Sequence, residues 1–246
     1  GTDIITITYD ATPRVTTGSE TTITSNSATV NGTVNANGLS TTAWFEYGTI
    51  SGSFGSKTSP QSVSGVSDTA VSGVVSGLSP GNTCYYRIVA QNNAGTTYGN
   101  EMSFTTVDTS APNCLISINN GALYTNSSIV SLTLSSTDDV GVTGYYLSAS
   151  SSTPLASATG WTLVTSTTSY TGSVSYTLNS GDGDKTVYAW YKDAAGNVST
   201  AVSDSITLDA TAPMITITSP TSSSTYTTTS NTISLGGSTS DSMSGA

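Results

Sequence analysis

The feature that most constrains this chain is a short motif that occurs three times. Each copy has a strand-like run, then an Asp, two or three small residues and a Pro, at residues 10–13, 108–112 and 209–213. The copies lie roughly 100 residues apart, which is the size of a small β-sandwich domain. Proline fixes φ and lacks a backbone N–H, so it separates one sheet from the next. The repeat therefore predicts an array of modules.

The composition excludes several classes of protein. Charged residues make up only 8% of the 246 residues, with 5 Lys and Arg against 15 Asp and Glu. Five scattered basic residues cannot form the positive surface that nucleic acid requires. The absence of His removes the Ser-His-Asp and Cys-His catalytic arrangements and the commonest transition-metal ligand. No apolar run approaches 20 residues, so membrane insertion is not expected.

Ser, Thr and Gly replace the usual helix formers, which predicts an all-β fold with almost no helix. Four segments follow from the joints. Residues 1–12 are expected to be the last strand of a preceding module or a donor strand. Residues 13–107 and 108–210 form two whole sandwiches, and residues 211–246 start a third, incomplete module. Alternating residues predict strands at 27–34, 42–48, 70–75, 84–90 and 101–106 in the first sandwich; at 115–118, 129–134, 142–148, 174–178, 186–191 and 202–208 in the second; and at 214–218 and 232–235 in the third.

Residues 78–90, LSPGNTCYYRIVA, set the phase of the first sandwich. A leucine and a Pro-Gly turn precede a strand on which Cys84, Tyr86, Ile88 and Ala90 are predicted to face inward. Tyr85, Arg87 and Val89 are then predicted to face outward.

Together with AWFEYGT at 43–49 and VAQNNAGTTYGNEMSFTT at 89–106, this stretch resembles the bacterial fibronectin type III domain. TLNSGDGDKTVYAWYKDAAGN at 177–197 is similar to bacterial Ig-like domains of large secreted and surface proteins. The resemblance implies tandem Ig-like and fibronectin type III β-sandwiches with Greek-key topology. It also makes residues 193–197 a hairpin tip. One departure is that Cys84 occupies the position of the family's corner tyrosine, so the corner hydrogen bond is expected to be absent.

Acidic residues point to calcium at one end of the second sandwich. In a Greek-key sandwich the linker, the second-to-third strand loop and the sixth-to-seventh strand loop meet at one pole. This would bring together Asp108, Asp138, Asp139, Asp193 and Asn197. Hard cations take several oxygen ligands from flexible loops, and related Ig-like arrays sometimes bind calcium at such joints. The alternative is that Asp favours turns for its own backbone reasons.

The two cysteines, Cys84 and Cys114, are both expected near the joint between the sandwiches. A disulfide is predicted if their Cα atoms come within about 7 Å, and an extracellular setting would permit oxidation. The alternative is a pair of buried free thiols.

Three aromatic residues are predicted to face outward: Trp44 in the first sandwich, with Arg87 stacked on it, and Tyr188 and Trp190 in the second. Flat aromatic surfaces bind sugar rings or partner subunits, whereas cross-strand pairing within the sheet is the simpler role.

These patterns favour an extracellular or bacterial cell-surface structural protein without catalysis of its own: a rigid spacer, an adhesin or a filament subunit. Its expected partners are other copies of itself, neighbouring modules of a longer chain, or surface glycans. The only expected cofactor is calcium. The alternative is a non-catalytic, carbohydrate-binding accessory region of a secreted polysaccharide-degrading enzyme.

Overall fold

The computed structural model describes residues 10–241, so the predicted strand at 3–9 lies outside the described residues. The chain divides into two compact units, Gly1–Thr109 and Ser110–Ala246. The described part is built from strands and turns, which confirms the predicted all-β class. No helix among residues 10–241 has the length and apolar character needed to span a membrane.

The first unit is a sandwich of antiparallel strands. Its strands are β1 (Arg14–Thr21), β2 (Ser27–Asn35), β3 (Thr41–Gly48), β4 (Ser56–Lys57), β5 (Gln61–Val63), β6 (Asp68–Ser76), β7 (Thr83–Asn92), β8 (Gly95–Tyr98) and β9 (Met102–Thr105). One sheet has the order β1-β2-β6, and the other has β4-β3-β7-β8, with β5 beside β3 and β9 beside β7. The core contains side chains from both sheets, including Val30, Val34 and Val75 opposite Phe45 and Tyr86.

Strand β7 confirms the predicted inward phase, because Cys84, Tyr86, Ile88 and Ala90 are all buried. Val89 faces outward as predicted, but it is not exposed. Val89 lies between Trp44 of β3 and Tyr98 of β8 in the register of the sheet, and it is fully buried on the outer face. Large aromatic neighbours on both sides therefore cover a residue that points away from the core.

A tyrosine still links the two sheets of the first unit. The Tyr86 hydroxyl donates to the Gly18 carbonyl oxygen at 2.8 Å and to Glu20 Oε2 at 2.9 Å. Cys84, two residues earlier, is buried in the core. The hydrogen bond that ties β7 to β1 thus comes from the next inward position along the strand.

The second unit contains β10 (Asn113–Ile118), β11 (Tyr124–Thr125), β12 (Ile129–Ser148), β13 (Thr162–Thr177), β14 (Gly183–Asp193), β15 (Val202–Leu208), β16 (Met214–Ser219) and β17 (Gly236–Ser240). Its main sheet has the order β10-β12-β14-β15-β11, and β13 also pairs with β12. The core lies between β10 and the first half of β12 on one side and the second half of β12, β14 and β15 on the other. It includes Ile118, Leu132 and Leu134, together with Val187, Tyr191 and Leu208.

The prediction of two separate strands at 129–134 and 142–148 is wrong, because β12 is one bent strand of 20 residues. Its first half pairs with β10, and its second half pairs with β14. The register shifts between Thr137 and Val142. A bulge adds residues to one strand and bends it, which lets β12 pass from one face of the core to the other.

Strand β16 matches the prediction, but the predicted strand at 232–235 is wrong. Strand β17 begins at Gly236 and pairs with β16, with Met214 opposite Ser240. A Cβ on Gly237 would meet the Thr216 carbonyl oxygen, so the glycines permit close pairing there. Ile233 and Leu235, which suggested the strand, are exposed.

Candidate functional site

Asp138 lies in the bulge of β12, where its carboxylate holds the bent backbone. Asp138 Oδ1 accepts hydrogen bonds from the backbone N–H groups of Val140 (3.0 Å) and Gly141 (2.6 Å). The residue is only 8% exposed. Its second oxygen, Oδ2, is buried and has no hydrogen-bond partner among residues 10–241. A buried carboxylate oxygen without a partner is costly, so this atom marks the bulge as a candidate ligand site.

Asp193 ends β14 and organises the predicted hairpin tip. Asp193 Oδ1 accepts from the backbone N–H groups of Gly196 (2.7 Å) and Asn197 (2.9 Å), and Oδ2 accepts from Asn197 Nδ2 (2.7 Å). Asp193 is 3% exposed. Each carboxylate oxygen has about two lone-pair sites, so Oδ2 retains acceptor capacity beyond its bond to Asn197.

The pairing of β12 with β14 brings these two carboxylates together. Val142, just after the bulge, lies opposite Asp193 in the register. A carboxylate oxygen of Asp138 lies within 4.8 Å of one from Asp193. Two buried negative charges at this distance repel each other unless a positive charge lies close by.

Lys192, the residue before Asp193, does not form an ion pair with either carboxylate within residues 10–241. Its Nζ donates to the Ala156 carbonyl oxygen at 2.9 Å and lies 4.9 Å from the centre of the Trp161 ring. The ion pairs of the described chain, Arg14–Asp68 and Arg87–Glu46, are both in the first unit. The carboxylate pair therefore has no ion-pair partner within residues 10–241.

The remaining predicted ligands differ in their placement. Asp139 is exposed, and its Oδ2 accepts from Ser110 Oγ at 3.3 Å, so it lies apart from the buried pair. Asn197 is half-buried and joins the pair through its bond to Asp193. Asp108 is half-buried and belongs to the first unit. The structure thus brings together Asp138, Asp193 and Asn197.

The first unit carries amides at the corresponding end of its sandwich. Asn92 ends β7, as Asp193 ends β14, and its Oδ1 accepts from the backbone N–H groups of Ala94 and Gly95. Its Nδ2 donates to the Ala11 carbonyl oxygen at 2.9 Å, and Asn37 Nδ2 donates to that of Thr12 at 2.7 Å. An amide can donate to a carbonyl oxygen, but an ionised carboxylate can only accept. The first unit therefore closes this end with hydrogen bonds from amide N–H groups, which the carboxylates of the second unit cannot donate.

The donor set of the second unit fits a hard cation. Its carboxylate and amide groups offer oxygen atoms, and they come from a bulge and a hairpin tip. The chain has no His, and Cys84 and Cys114 lie in the two cores. Oxygen ligands without nitrogen or sulfur suit Ca²⁺ better than Zn²⁺.

The predicted disulfide between Cys84 and Cys114 is wrong in this structure. Both cysteines are free thiols, and each is buried in the core of its own unit. Burial raises the pKa of both thiols above the ordinary value. Each cysteine thus behaves as a small apolar core residue.

The predicted exposure of Trp190 is also wrong, although its phase on β14 is right. Its ring lies 6.1 Å from that of Tyr188 and 6.2 Å from that of Tyr146, and the Tyr146 ring in turn contacts Trp161. Trp190 is 0% exposed. The residues that follow β12 return over the outer face of the sheet, and this long-range packing had no local signal in the sequence. Tyr188 remains half-exposed.

Trp44 is half-buried on the outer face of the first unit, but Arg87 does not stack on it as predicted. Lys57 Nζ lies 5.8 Å from the centre of the Trp44 ring. The Arg87 guanidinium lies 4.5 Å from the Phe54 ring centre and 4.3 Å from that of Tyr98. Glu46 holds Arg87 in place with hydrogen bonds of 2.9 and 3.1 Å. These contacts stabilise the sheet surface.

No protein-family model matches the chain, and no curated protein sequence matches it. Among solved structures, the sensor domain of the anti-sigma factor RsgI4 from Pseudobacteroides cellulosolvens is similar at 19% identity. That match covers 40% of this chain and 93% of that one, with a TM-score of 0.32. The fibronectin(III)-like modules of Clostridium thermocellum CbhA are similar at 12% identity, covering 79% of this chain and 94% of that one, with a TM-score of 0.30. At these TM-scores the likenesses support no conclusion about function.

Proposed function

We propose that this chain is a non-catalytic structural part of an extracellular or surface-attached bacterial protein, and that Ca²⁺ stabilises its second unit. It acts as a rigid spacer, an adhesin or a filament subunit, with copies of itself or neighbouring modules as partners. The observation that carries the proposal is the buried pair Asp138 and Asp193, with the unpartnered Asp138 Oδ2.

A bound Ca²⁺ would have a definite structural effect. It would offset the repulsion between the two carboxylates and provide a partner for Asp138 Oδ2. It would also tie the bulge of β12 to the end of β14, two elements whose pairing begins at Val142 and Asp193. The bulge and the hairpin tip would thereby be fixed to each other, which suits a protein that carries load or keeps a spacing.

Thermal unfolding of the whole chain tests the proposal. Extracellular calcium modules have dissociation constants of about 10⁻⁴–10⁻³ M. At about 10 mM calcium, binding then stabilises the folded state by roughly 1.5–3 kcal/mol, which corresponds to a rise of several degrees in the melting temperature of the second unit. Asp139→Asn is the matched control, because Asp139 is exposed and outside the buried pair, and this variant should keep the full shift.

Melting curves that coincide in calcium and in EDTA would rule the site out. A calcium shift that is lost in Asp139→Asn but kept in Asp138→Asn would place the site elsewhere.

Carbohydrate binding is the second candidate function, but the burial of Trp190 removes its most suitable residue. Tyr188 and Trp44 remain half-exposed. A glycan array with wild-type chain and a Tyr188→Ala control checks this function, and the structural proposal expects no sugar to be bound.

A further inference from the structure

Strand β14 has an open edge along the first five of its eleven residues. On one side, Gly183 to Ala189 pair with β15. On the other side, β12 pairs only with Tyr188 to Asp193, because β12 ends at Ser148. Residues 183–187 therefore have no strand beside them on this side in the described part of the chain.

The hydrogen-bonding pattern of β15 shows which groups face this open edge. The backbone N–H of Thr207 donates to the Leu123 carbonyl oxygen of the neighbouring segment, so it points away from β14. Asp184 lies opposite Thr207, and Thr186 lies opposite Ser205. Because antiparallel pairs alternate, the backbone N–H and C=O groups of Asp184 and Thr186 point into the open edge.

A cavity of about 350 Å³ lies along the same edge. Its lining residues are Ala149, Tyr176, Leu178, Asn179 and the five residues 184–188. Leu178 and Val187 are buried on its inner side. We call this open edge and its cavity the β14 slot. Unpaired strand edges are pairing sites for extended segments.

Strand β16 of the same unit also has an unpaired edge within residues 10–241. It pairs only with β17 among the described strands. Met214, Ile215 and Ile217 are exposed apolar side chains, at 66%, 70% and 48%. The sequence of β16, MITITS, alternates Ile and Thr from Ile215 onward and carries no charge. Isolated two-stranded ribbons are marginally stable in water.

We propose that the β14 slot of one chain holds β16 of a second copy. Strand β16 then supplies partners for the backbone groups of Asp184 and Thr186, and the side of β16 that carries Ile215 and Ile217 packs against Leu178. The chain has a net charge of −10, so two copies repel each other over most of their surfaces. Strand β16 carries no charged residue and therefore adds nothing to this repulsion. The contact joins two different surfaces, so it continues head to tail from copy to copy.

This inference names the partner and the surface for the structural role proposed above. Sedimentation of the whole chain between about 10 μM and 1 mM tests it, in EDTA, so that failure of the cation site does not affect the result. We expect association that rises with concentration. Ile217→Lys should weaken it at least tenfold, whereas Leu163→Lys should not, because Leu163 is an exposed apolar residue of β13, outside both β16 and the β14 slot.

Thr186→Pro removes the backbone N–H that points into the slot. That N–H is outside the β14–β15 ladder, so an edge proline is tolerated and the variant should fold but associate at least tenfold more weakly. Chains that stay monomeric over the whole range would overturn the proposal. So would association that is the same in Ile217→Lys as in Leu163→Lys, a comparison that does not depend on the proline variant.

A synthetic peptide of residues 214–219 identifies the occupant of the slot. In NMR spectra of the full chain it should shift the amide signals of Asp184 and Thr186, and the same peptide with methylated backbone nitrogens should not. Equal shifts from the methylated peptide would contradict strand addition. The same signals shifting with the neutral oligosaccharide cellohexaose, and not with the peptide, would make the slot a sugar site and overturn the proposal.

Discussion

Asp138 in the bulge of β12 and Asp193 at the end of β14 are more than nine-tenths buried, with carboxylate oxygens within 4.8 Å of each other. The Asp138 oxygen Oδ1 holds the bulge through two backbone N–H groups, while Oδ2 has no hydrogen-bond partner among residues 10–241. Each carboxylate thus organises its own loop, and the pair together creates a charge that no ion pair within residues 10–241 neutralises.

The first prediction is whether removing the charge of Asp138 raises or lowers the stability of the folded chain. In EDTA, Asp138→Asn should leave the chain as stable as the wild type or up to about 1 kcal/mol more stable, because repulsion with Asp193 is removed and the amide oxygen still accepts from Val140 and Gly141. In calcium the order should reverse. Urea unfolding under both conditions checks this crossover, and a variant that is equally destabilised with and without calcium would show a purely structural role for the charge.

The second prediction tests the bulge itself. Gly141 has φ +148°, and a Cβ there would lie 2.5 Å from Ser166 Oγ. Gly141→Ala should therefore destabilise the second unit by about 1–3 kcal/mol. Gly55→Ala is the control, since a Cβ at Gly55 meets nothing within 4 Å, and its unfolding free energy should stay within about 0.5 kcal/mol of wild type. Equal losses of unfolding free energy in the two variants would show that a Cβ at residue 141 causes no strain.

The third prediction is a loss of stability at alkaline pH. Burial, reinforced by Glu20, raises the pKa of Tyr86, and burial raises the pKa of Tyr191 with Cys114 as the next cause. A raised folded-state pKa stabilises the folded chain fully below the unfolded pKa, which is about 10 for Tyr. Above that pH the unfolded chain loses its proton first, so stability should fall by up to about 1.4 kcal/mol per pH unit for each tyrosine.

Chemical denaturation between pH 8 and pH 11.5 measures this slope. Tyr86→Phe should make the first unit less dependent on pH, and it should also lower its stability at pH 8 by about 1–3 kcal/mol through the loss of the bonds to Gly18 and Glu20. A Tyr86→Phe variant that keeps the full alkaline slope of the first unit would refute the assignment to Tyr86.

The sequence predicts the features of the fold and the site that depend on residues close together in the chain, and it misses those that depend on distant residues. Local alternation predicts the inward phase of Cys84 to Ala90, and the resemblance to bacterial Ig-like domains implies the hairpin tip that Asp193 organises. The Asp-Asp pair at 138–139 looks like a turn, because a bulge inside a continuous strand uses the same residues. Trp190 packs against Tyr146 of β12, a residue distant in the sequence, so alternation along β14 could give its face but not its burial.

The fourth prediction follows from that covered tryptophan. Trp190→Ala should cost about 3–5 kcal/mol, because a large buried side chain leaves a cavity. Tyr188→Ala, on the same face but half-exposed, should cost clearly less. Equilibrium unfolding of both variants decides between them, and a Trp190→Ala effect below that of Tyr188→Ala would mean that Trp190 faces solvent.

The fifth prediction concerns the thiols. Cys84 and Cys114 are 1% and 7% exposed, and burial raises the pKa of both. A thiol reagent should therefore label neither cysteine in the folded chain and both in denaturant. The intact mass should be the same before and after reduction. An intact mass that rises by two hydrogens on reduction would instead show that Cys84 and Cys114 form a disulfide.

Calorimetric titration of Ca²⁺ into the whole chain tests the central claim most directly, with Asp139→Asn and the double variant Asp138→Asn, Asp193→Asn measured in parallel. We predict one binding event in the wild type and in Asp139→Asn, with a dissociation constant of about 10⁻⁴–10⁻³ M, and none in the double variant. No heat of binding in the wild type at millimolar calcium, or unchanged binding in the double variant, would contradict the claim.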